Sequence, residues 1–151
     1  MSKDGRDNIK LKLIGKNQDD LKVISAYTQD SIVSVRDIVF LEKNRIFLMM
    51  VNRFMWEDVE KGIFRQNKRI RCAIKFEEIL KAKSKKINQR NKNKNLECLA
   101  IKCNKILNNN YEINFFFSGE SMITLISEAV EVVMHDIGEP WIVKHVPIHK
   151  I

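Results

Sequence analysis

Apolar and polar side chains alternate through most of the middle of the chain, which is the pattern of β-strands with one buried face. The alternation is clearest over residues 69–76, where one side carries Ile70, Cys72, Ile74 and Phe76. The same two-residue period predicts further strands at residues 11–14, 32–35, 37–41, 46–52, 81–85, 96–103, 111–117 and 121–126. Short polar turns separate these segments, so we predict a run of antiparallel strands.

Two segments show apolar residues at helical spacing instead. The first is residues 18–29, which Asn17 can cap, and the second is residues 127–136, which Gly138 and Pro140 would stop. The apolar stripes consist of Leu21, Ile24 and Tyr27 in the first segment and of Ala129, Val130, Val133 and Met134 in the second. We therefore predict an α+β fold, with a mainly antiparallel curved sheet or partly open barrel, an N-terminal helix and a packed C-terminal helix. By analogy, this plan is pleckstrin-homology-like.

Length and composition indicate one domain. With 151 residues, of which 44% are apolar, the chain can bury a single core. We expect the domain to span residues 1–151, with flexible or extended tails at 1–9 and 143–151. The longest apolar run, Ile46 to Val51, is far shorter than the roughly 20 residues that cross a bilayer. The polar N-terminus and the odd number of cysteines favour a cytoplasmic protein without a membrane partner.

The positive charge of the chain is concentrated in its middle. Residues 61–112 carry fifteen basic and four acidic side chains, within a net charge of +8 for the whole chain. Such clustering is typical of proteins that bind nucleic acid. A basic sheet face for RNA or single strands would comprise Arg69, Arg71 and Lys75 on one strand and Lys81, Lys83 and Lys85 on its neighbour.

Two observations weigh against nucleic-acid binding. Lysines outnumber arginines by 19 to 8. A compositional bias towards lysine would produce such an excess at surface positions that tolerate substitution, whatever the function. The predicted face also lacks the interleaved aromatic residues of single-strand binding platforms. Lysines on an edge strand also serve to prevent aggregation between sheets, which is the competing interpretation.

The segment Asn52 to Glu57 places an arginine just before two aromatic residues, Phe54 and Trp56, at the end of an apolar strand. Arg53 and Trp56 can stack on a flat group or clamp a carboxylate. The competing structural role, which we favour, is that the aromatic residues plug the barrel end while Arg53 pairs with Glu57 or Asp58. The leading functional hypothesis is a non-enzymatic binding or adaptor domain for a protein partner. Its expected contact residues are Asn52, Arg53, Trp56 and Trp141.

The sequence predicts no catalytic, cofactor or metal site. Its five glycines are isolated, so neither a P-loop nor a dinucleotide fingerprint can be assembled. No serine or cysteine lies in a glycine-flanked nucleophile elbow. Cys103 with His145 and His149 lacks the paired-cysteine spacing that zinc sites usually show.

Three local patterns are similar to one known family. They are LKVISAYTQDS at residues 21–31, NRFMWE at residues 52–57 and DIGEPW at residues 136–141. Together they resemble the small bacterial family called domain of unknown function 2948, over about residues 10–147. The resemblance implies a cytoplasmic bacterial protein of similar length and element order, without implying a reaction. The Asn- and Lys-rich loop at residues 86–95 departs from the family pattern, so we do not expect it to be a shared functional element.

Overall fold

The computed structural model describes residues 10–57, 67–144 and 146–147. The elements run in the order β1 (Lys12–Gly15), α1 (Gln18–Thr28), β2 (Ser31–Ser34), β3 (Ile38–Leu41), β4 (Ile46–Phe54), β5 (Lys68–Phe76), β6 (Ile79–Lys85), β7 (Asn95–Lys105), β8 (Tyr111–Phe117), β9 (Met122–Ser127) and β10 (Val132–Ile142). The ten strands within these described ranges belong to one sheet, in the order β1-β10-β5-β4-β2-β7-β8-β9-β6, with β3 added beside β4. Every pairing is antiparallel. The predicted α+β fold with a mainly antiparallel sheet is thus confirmed.

The sheet curves round a core but does not close. Strand β4 pairs with β5 along one edge, and along the other edge it pairs first with β3 and then with β2. A short 3₁₀ turn at Val35–Asp37 separates β2 from β3. The amide of Ile79, at the start of β6, donates to the carbonyl of Arg45 at 2.9 Å. Strands β3 and β6 nevertheless do not pair with each other, which leaves an open seam between them.

Aromatic side chains fill the inside of the curved sheet. The ring of Phe115 lies 5.3 Å from Phe76, 5.6 Å from Phe47 and 6.4 Å from Phe117. Two of these phenylalanines belong to the neighbouring strands β4 and β5, whereas the other two belong to β8, which β2 and β7 separate from β4. The core therefore holds the two halves of the curved sheet together.

Helix α1 packs on the inner part of the molecule beside β7, as its predicted apolar stripe requires. Its buried residues include Leu21 and Ile24, and the side chain of Asn17 accepts the amide proton of Asp20 at 2.8 Å. The Ser25 hydroxyl oxygen accepts from the amide of Ile101 at 2.9 Å. The N-terminal helix and its cap are confirmed.

The predicted C-terminal helix at residues 127–136 is wrong, because most of this segment belongs to strands. Strand β9 ends at Ser127, and β10 begins at Val132 and lies between β1 and β5. The apolar positions also fit a two-residue period, with Val130, Val132 and Met134 buried. Pairing on both edges satisfies the backbone of β10, which outweighs the helical spacing.

Gly138 also has a different role from the predicted helix stop. Its φ is +75°, and it lies at a shift in register between Ile137 and Trp141. The glycine therefore permits a β-bulge within β10. A pleckstrin-homology-like plan depends on a final helix, so that expectation loses its support.

The predicted tails are only partly described. Residues 1–9, 145 and 148–151 lie outside the described residues. In the described part of the second tail, the amide of Val143 donates to the carbonyl of Asn67 at 2.9 Å, so pairing with the sheet continues past β10. No helix in the described part of the chain is long and apolar enough to cross a bilayer.

Candidate functional site

Arg53 lies at the end of β4 on the inner side of the sheet and is completely buried. Its Nε and one terminal nitrogen donate to the two carboxylate oxygens of Asp136 at 2.8 and 2.7 Å. Its terminal nitrogens also donate to Glu57 at 3.0 and 2.7 Å. The ring of Tyr27 lies 5.7 Å from the guanidinium carbon. This arrangement leaves the guanidinium enclosed by the protein's own groups.

The charge on Arg53 is compensated within the fold. Burial by itself lowers the pKa of Arg53, but hydrogen bonds and attraction from Asp136 and Glu57 outweigh burial and raise that pKa well above its ordinary value. Asp136 belongs to β10 and Arg53 to β4, two strands that β5 separates. The ion pair therefore ties together non-adjacent strands, as the structural role of Arg53 requires. Its other suggested partner, Asp58, lies outside the described residues.

Two further predicted contact residues are also engaged within the fold. The indole nitrogen of Trp56 donates to the carbonyl of Gln29 at 2.9 Å, and its ring meets Phe54 edge-on with centroids 4.6 Å apart. The side-chain oxygen of Asn52 accepts from Arg71 at 3.2 Å. The side chains of Asn52 and Trp56 thus form hydrogen bonds within the fold.

Trp141 differs from the other predicted contact residues. It lies opposite Arg69 in the pairing of β10 with β5 and is 40% exposed. A half-exposed tryptophan on a sheet is available to a partner without rearrangement of the fold. Among the four predicted contact residues, it is the one most open to solvent.

The six predicted nucleic-acid-binding residues do not form one surface. The prediction that their two strands are neighbours is wrong, because β5 lies between β4 and β10 while β6 pairs with β9. The turn between β5 and β6 contains Glu78 at φ 62°, and it directs β6 away from β5. The separated sets are Arg69, Arg71 and Lys75 on β5, and Lys81, Lys83 and Lys85 on β6.

The basic side chains on β5 have partners within the fold. Arg71 donates to the carboxylate of Asp37 at 3.0 Å, and Lys75 lies 3.7 Å from that of Glu77. Arg69 donates to the carbonyl of Asn52 at 2.9 Å, and burial lowers its pKa. These contacts leave less free positive charge on β5 than the sequence suggests.

The outer side of β1, β10, β5, β4 and β3 forms a surface that we call the apolar face. Register places Ile14, Val133, Lys75, Leu48 and Val39 side by side across the five strands. Alternation and register give the apolar members of this face as Ile14, Val39, Leu41, Ile46, Leu48, Met50, Ala73, Val133, Ile137 and Trp141. Exposed fractions are 57% for Ile14, 40% for Val39, 44% for Leu41 and 39% for Ile137. The face is continuous because all five strands are hydrogen-bonded neighbours.

The charged groups on the apolar face are mainly positive. Lys12 and His135 lie opposite each other on β1 and β10, and both are exposed. Lys75 lies in the row between Val133 and Leu48. The carboxylate of Asp37 at the border is already paired with Arg71. A partner on this face would meet apolar groups with positive charges among them.

The outer side of β6, β9, β8 and β7 forms a second surface, which we call the basic face. One row across it contains Lys85, Met122, Phe116 and Ala100, and the next contains Lys83, Thr124, Asn114 and Lys102. The ammonium of Lys102 lies 5.7 Å from the centroid of the Phe116 ring. Pairing of the strands therefore supplies an aromatic group that the local sequence around the lysines lacks.

The thiols do not suggest a nucleophile. Cys72, Cys98 and Cys103 are free, and burial raises the pKa of Cys72 and of Cys98 to about 12 and that of Cys103 to about 11. At neutral pH each thiol is therefore protonated and weakly nucleophilic. Within the described ranges, no three His, Cys, Asp or Glu side chains are placed to hold a metal ion. His145 and His149 lie outside these ranges.

Comparison with known proteins identifies a family without assigning a reaction. No curated protein and no solved structure matches the chain. The family described as protein of unknown function DUF2948 matches residues 11–149. That match covers most of the 151 residues, including β1, α1 and the strands of both faces. The chain therefore belongs to the DUF2948 family.

Proposed function

We propose that the protein is a non-enzymatic binding module and that its apolar face contacts a partner protein. The observation that carries this proposal is the exposure of Ile14, Val39, Leu41, Ile137 and Trp141, each at 39–57%, on one continuous sheet surface. An antiparallel sheet that faces water usually carries polar residues on that side. Contiguous exposed apolar groups are typical of interaction surfaces.

The charges on the apolar face favour a partner with acidic groups around an apolar patch. Lys12 provides an exposed positive charge, Lys75 has Glu77 as a partner, and Asp37 is neutralised by Arg71. A second copy of the chain would bring further lysines into the same interface, which opposes self-association. We therefore assign a different protein, with carboxylates flanking apolar side chains, as the occupant.

Trp141 is the expected anchor of this contact. Tryptophan is enriched among the residues that contribute most to protein interfaces, because it buries a large rigid surface and still donates a hydrogen bond. The neighbouring Arg69 is held in place by the carbonyls of Asp30 and Asn52 at 3.2 and 2.9 Å. By register, Arg69 and Asn52 lie on the same side of the sheet as Trp141.

Site-specific photo-crosslinking in the native cytosol tests this contact. Benzoylphenylalanine placed at position 39, 41 or 137 of the full chain should give a discrete crosslinked product containing one other protein. The same group at position 107 is the control, since Leu107 is 86% exposed and lies in a turn away from the apolar face. Crosslinks to a second copy, or equal products from position 107, would contradict the proposal.

A second candidate function is single-stranded nucleic-acid binding through the basic face. The observation that favours it is Phe116, flanked by Lys102 and in one row with Lys85. A base can stack on an aromatic ring while lysines on both sides contact phosphates. The relevant lysines are then Lys81, Lys83, Lys85 and Lys102, without the basic residues of β5.

Salt titration with labelled oligouridylate tests this second function. Four phosphate contacts predict that the logarithm of the association constant falls with the logarithm of salt with a slope of about −3. Phe116→Ala should weaken binding by about tenfold, as expected for the loss of one stacked base. Lys12→Gln, which removes one positive charge from the apolar face, should have little effect on oligouridylate binding. Binding that ignores salt, or that Phe116→Ala leaves unchanged, excludes this function.

A further inference from the structure

The open seam between β3 and β6 contains a cleft of about 230 Å³. Both strands end the sheet here, since β3 pairs with β4 and β6 pairs with β9 on their other edges. The residues around the cleft are Val35, Ile38, Phe40, Phe47, Ala82, Lys83, Ser84, Ile87, Gln89, Lys92 and Ile123. The cleft is distinct from the apolar face, because none of the residues that line it is an apolar member of that face.

Hydrogen bonds close both ends of this seam cleft. At one end, the amide of Ile79 donates to the carbonyl of Arg45 at 2.9 Å. At the other end, the amide of Arg36 donates to the carbonyl of Lys92 at 3.1 Å, and the amide of Val35 donates to the carbonyl of Lys94 at 2.9 Å. These bonds leave no straight path along the seam for an extended polypeptide. A ligand that enters from the solvent side must therefore be compact.

The walls of the seam cleft have two chemical parts. Its depth is apolar, where Phe47 is 2% and Ile123 4% exposed. Its rim carries Lys83 and Lys92 together with polar groups, and Gln89 donates to the Ser84 hydroxyl oxygen at 3.0 Å. The residues that line it include two lysines and no acidic side chain. Small-molecule sites commonly combine an apolar pocket with a few polar groups at fixed positions.

We propose that the seam cleft binds a small amphipathic carboxylate. The apolar chain lies against Phe40, Phe47 and Ile123, and the carboxylate lies at the rim near Lys83 and Lys92. A volume of about 230 Å³ is below the roughly 300–1,000 Å³ of sites for drug-sized ligands, so the ligand is a short-chain molecule. This site is independent of the partner contact proposed for the apolar face.

Titration calorimetry with octanoate and the full chain tests the site. Octanoate should bind, octylamine should not, and octan-1-ol should bind at least tenfold more weakly than octanoate. The double variant Lys83→Gln/Lys92→Gln should weaken octanoate binding by tenfold or more and leave octan-1-ol binding unchanged. Lys81→Gln/Lys85→Gln is the matched control, because it removes the same charge from residues of β6 that do not line the cleft. It should change octanoate binding less than twofold.

A blocking variant locates the apolar part of the ligand. Ala82→Phe adds a ring from the inner side of β6 and should abolish binding of both octanoate and octan-1-ol. Amide chemical shifts of the wild-type protein locate the ligand without any substitution, and the largest changes should fall at Ser84, Ile87 and Gln89. Equal loss of affinity in both lysine double variants, or shift changes centred elsewhere, would overturn the proposal.

Discussion

Replacing Asp136 with alanine is expected to lower the free energy of unfolding by about 3–5 kcal/mol, because it leaves the buried guanidinium of Arg53 without its main partner. Asp136 is 2% exposed, and both its oxygens accept hydrogen bonds from Arg53. One of them also accepts from the amide of Leu11 at 3.3 Å. Chemical denaturation of the wild type and the variant measures the loss.

Two further variants test whether the loss of stability comes from leaving the charge of Arg53 buried without a partner. Glu57→Ala removes a carboxylate that is 23% exposed, so water can replace part of its interaction and the loss should be smaller. The double replacement Arg53→Met/Asp136→Leu removes both buried charges and should recover most of the stability that Asp136→Ala loses. If Asp136→Ala unfolds as the wild type does, the ion pair does not hold β4 and β10 together.

Phe115→Ala is expected to destabilise the fold by about 3–5 kcal/mol, through lost burial and the cavity that remains. The ring of Phe115 is completely buried and contacts rings from β4 and β5 as well as one from its own strand. Its loss therefore weakens the contact between the two halves of the curved sheet. Denaturant unfolding monitored by circular dichroism measures the change.

The adjacent residue provides the control for Phe115. Phe116 lies on the same strand but points to the outer side, where it contacts Lys102. Phe116→Ala should cost about 1 kcal/mol or less, since substitutions on the surface have small effects. Similar losses at the two positions would contradict the assignment of inner and outer sides to β8. That assignment also defines the basic face, so the comparison tests both.

The sequence predicts individual strands because alternation is a local property. Residues 70–76 show the period directly, and β5 follows it. The period is ambiguous at residues 127–136, where the apolar positions fit a helix and a strand alike. The segment forms a strand because both of its edges can pair, one with β1 and the other with β5. Those two strands lie far from it in sequence, so the local pattern does not reveal the pairing.

Local sequence patterns likewise cannot predict which residues become partners across the sheet. The contact between Arg53 and Glu57 is predictable from a spacing of four residues, but Asp136 lies 83 residues from Arg53. One local signal was available, because Arg53 shares the alternation of Met49 and Val51 and so belongs on the buried side. Likewise, Phe116 becomes a neighbour of Lys85 only through the pairing of β8 with β9 and of β9 with β6.

The two outer faces are separate surfaces, and we propose that each would bind a different kind of partner. The buried ion pair and the phenylalanine core fix the curvature of one sheet, and that curvature sends the apolar face and the basic face in different directions. The notable feature of the apolar face is that its exposed side chains contribute little to the fold. Substitutions at Val39 or Ile137 should therefore alter binding with little effect on stability.

The most direct test of the proposed contact is the affinity of the crosslinked partner for variants of the apolar face, measured by titration calorimetry. Ile137→Glu and Val39→Glu place a negative charge opposite the acidic groups expected on the partner. Each should weaken binding by about a hundredfold or more, with an unchanged free energy of unfolding, while Leu107→Glu binds as the wild type does. Wild-type affinity in both face variants would contradict the account.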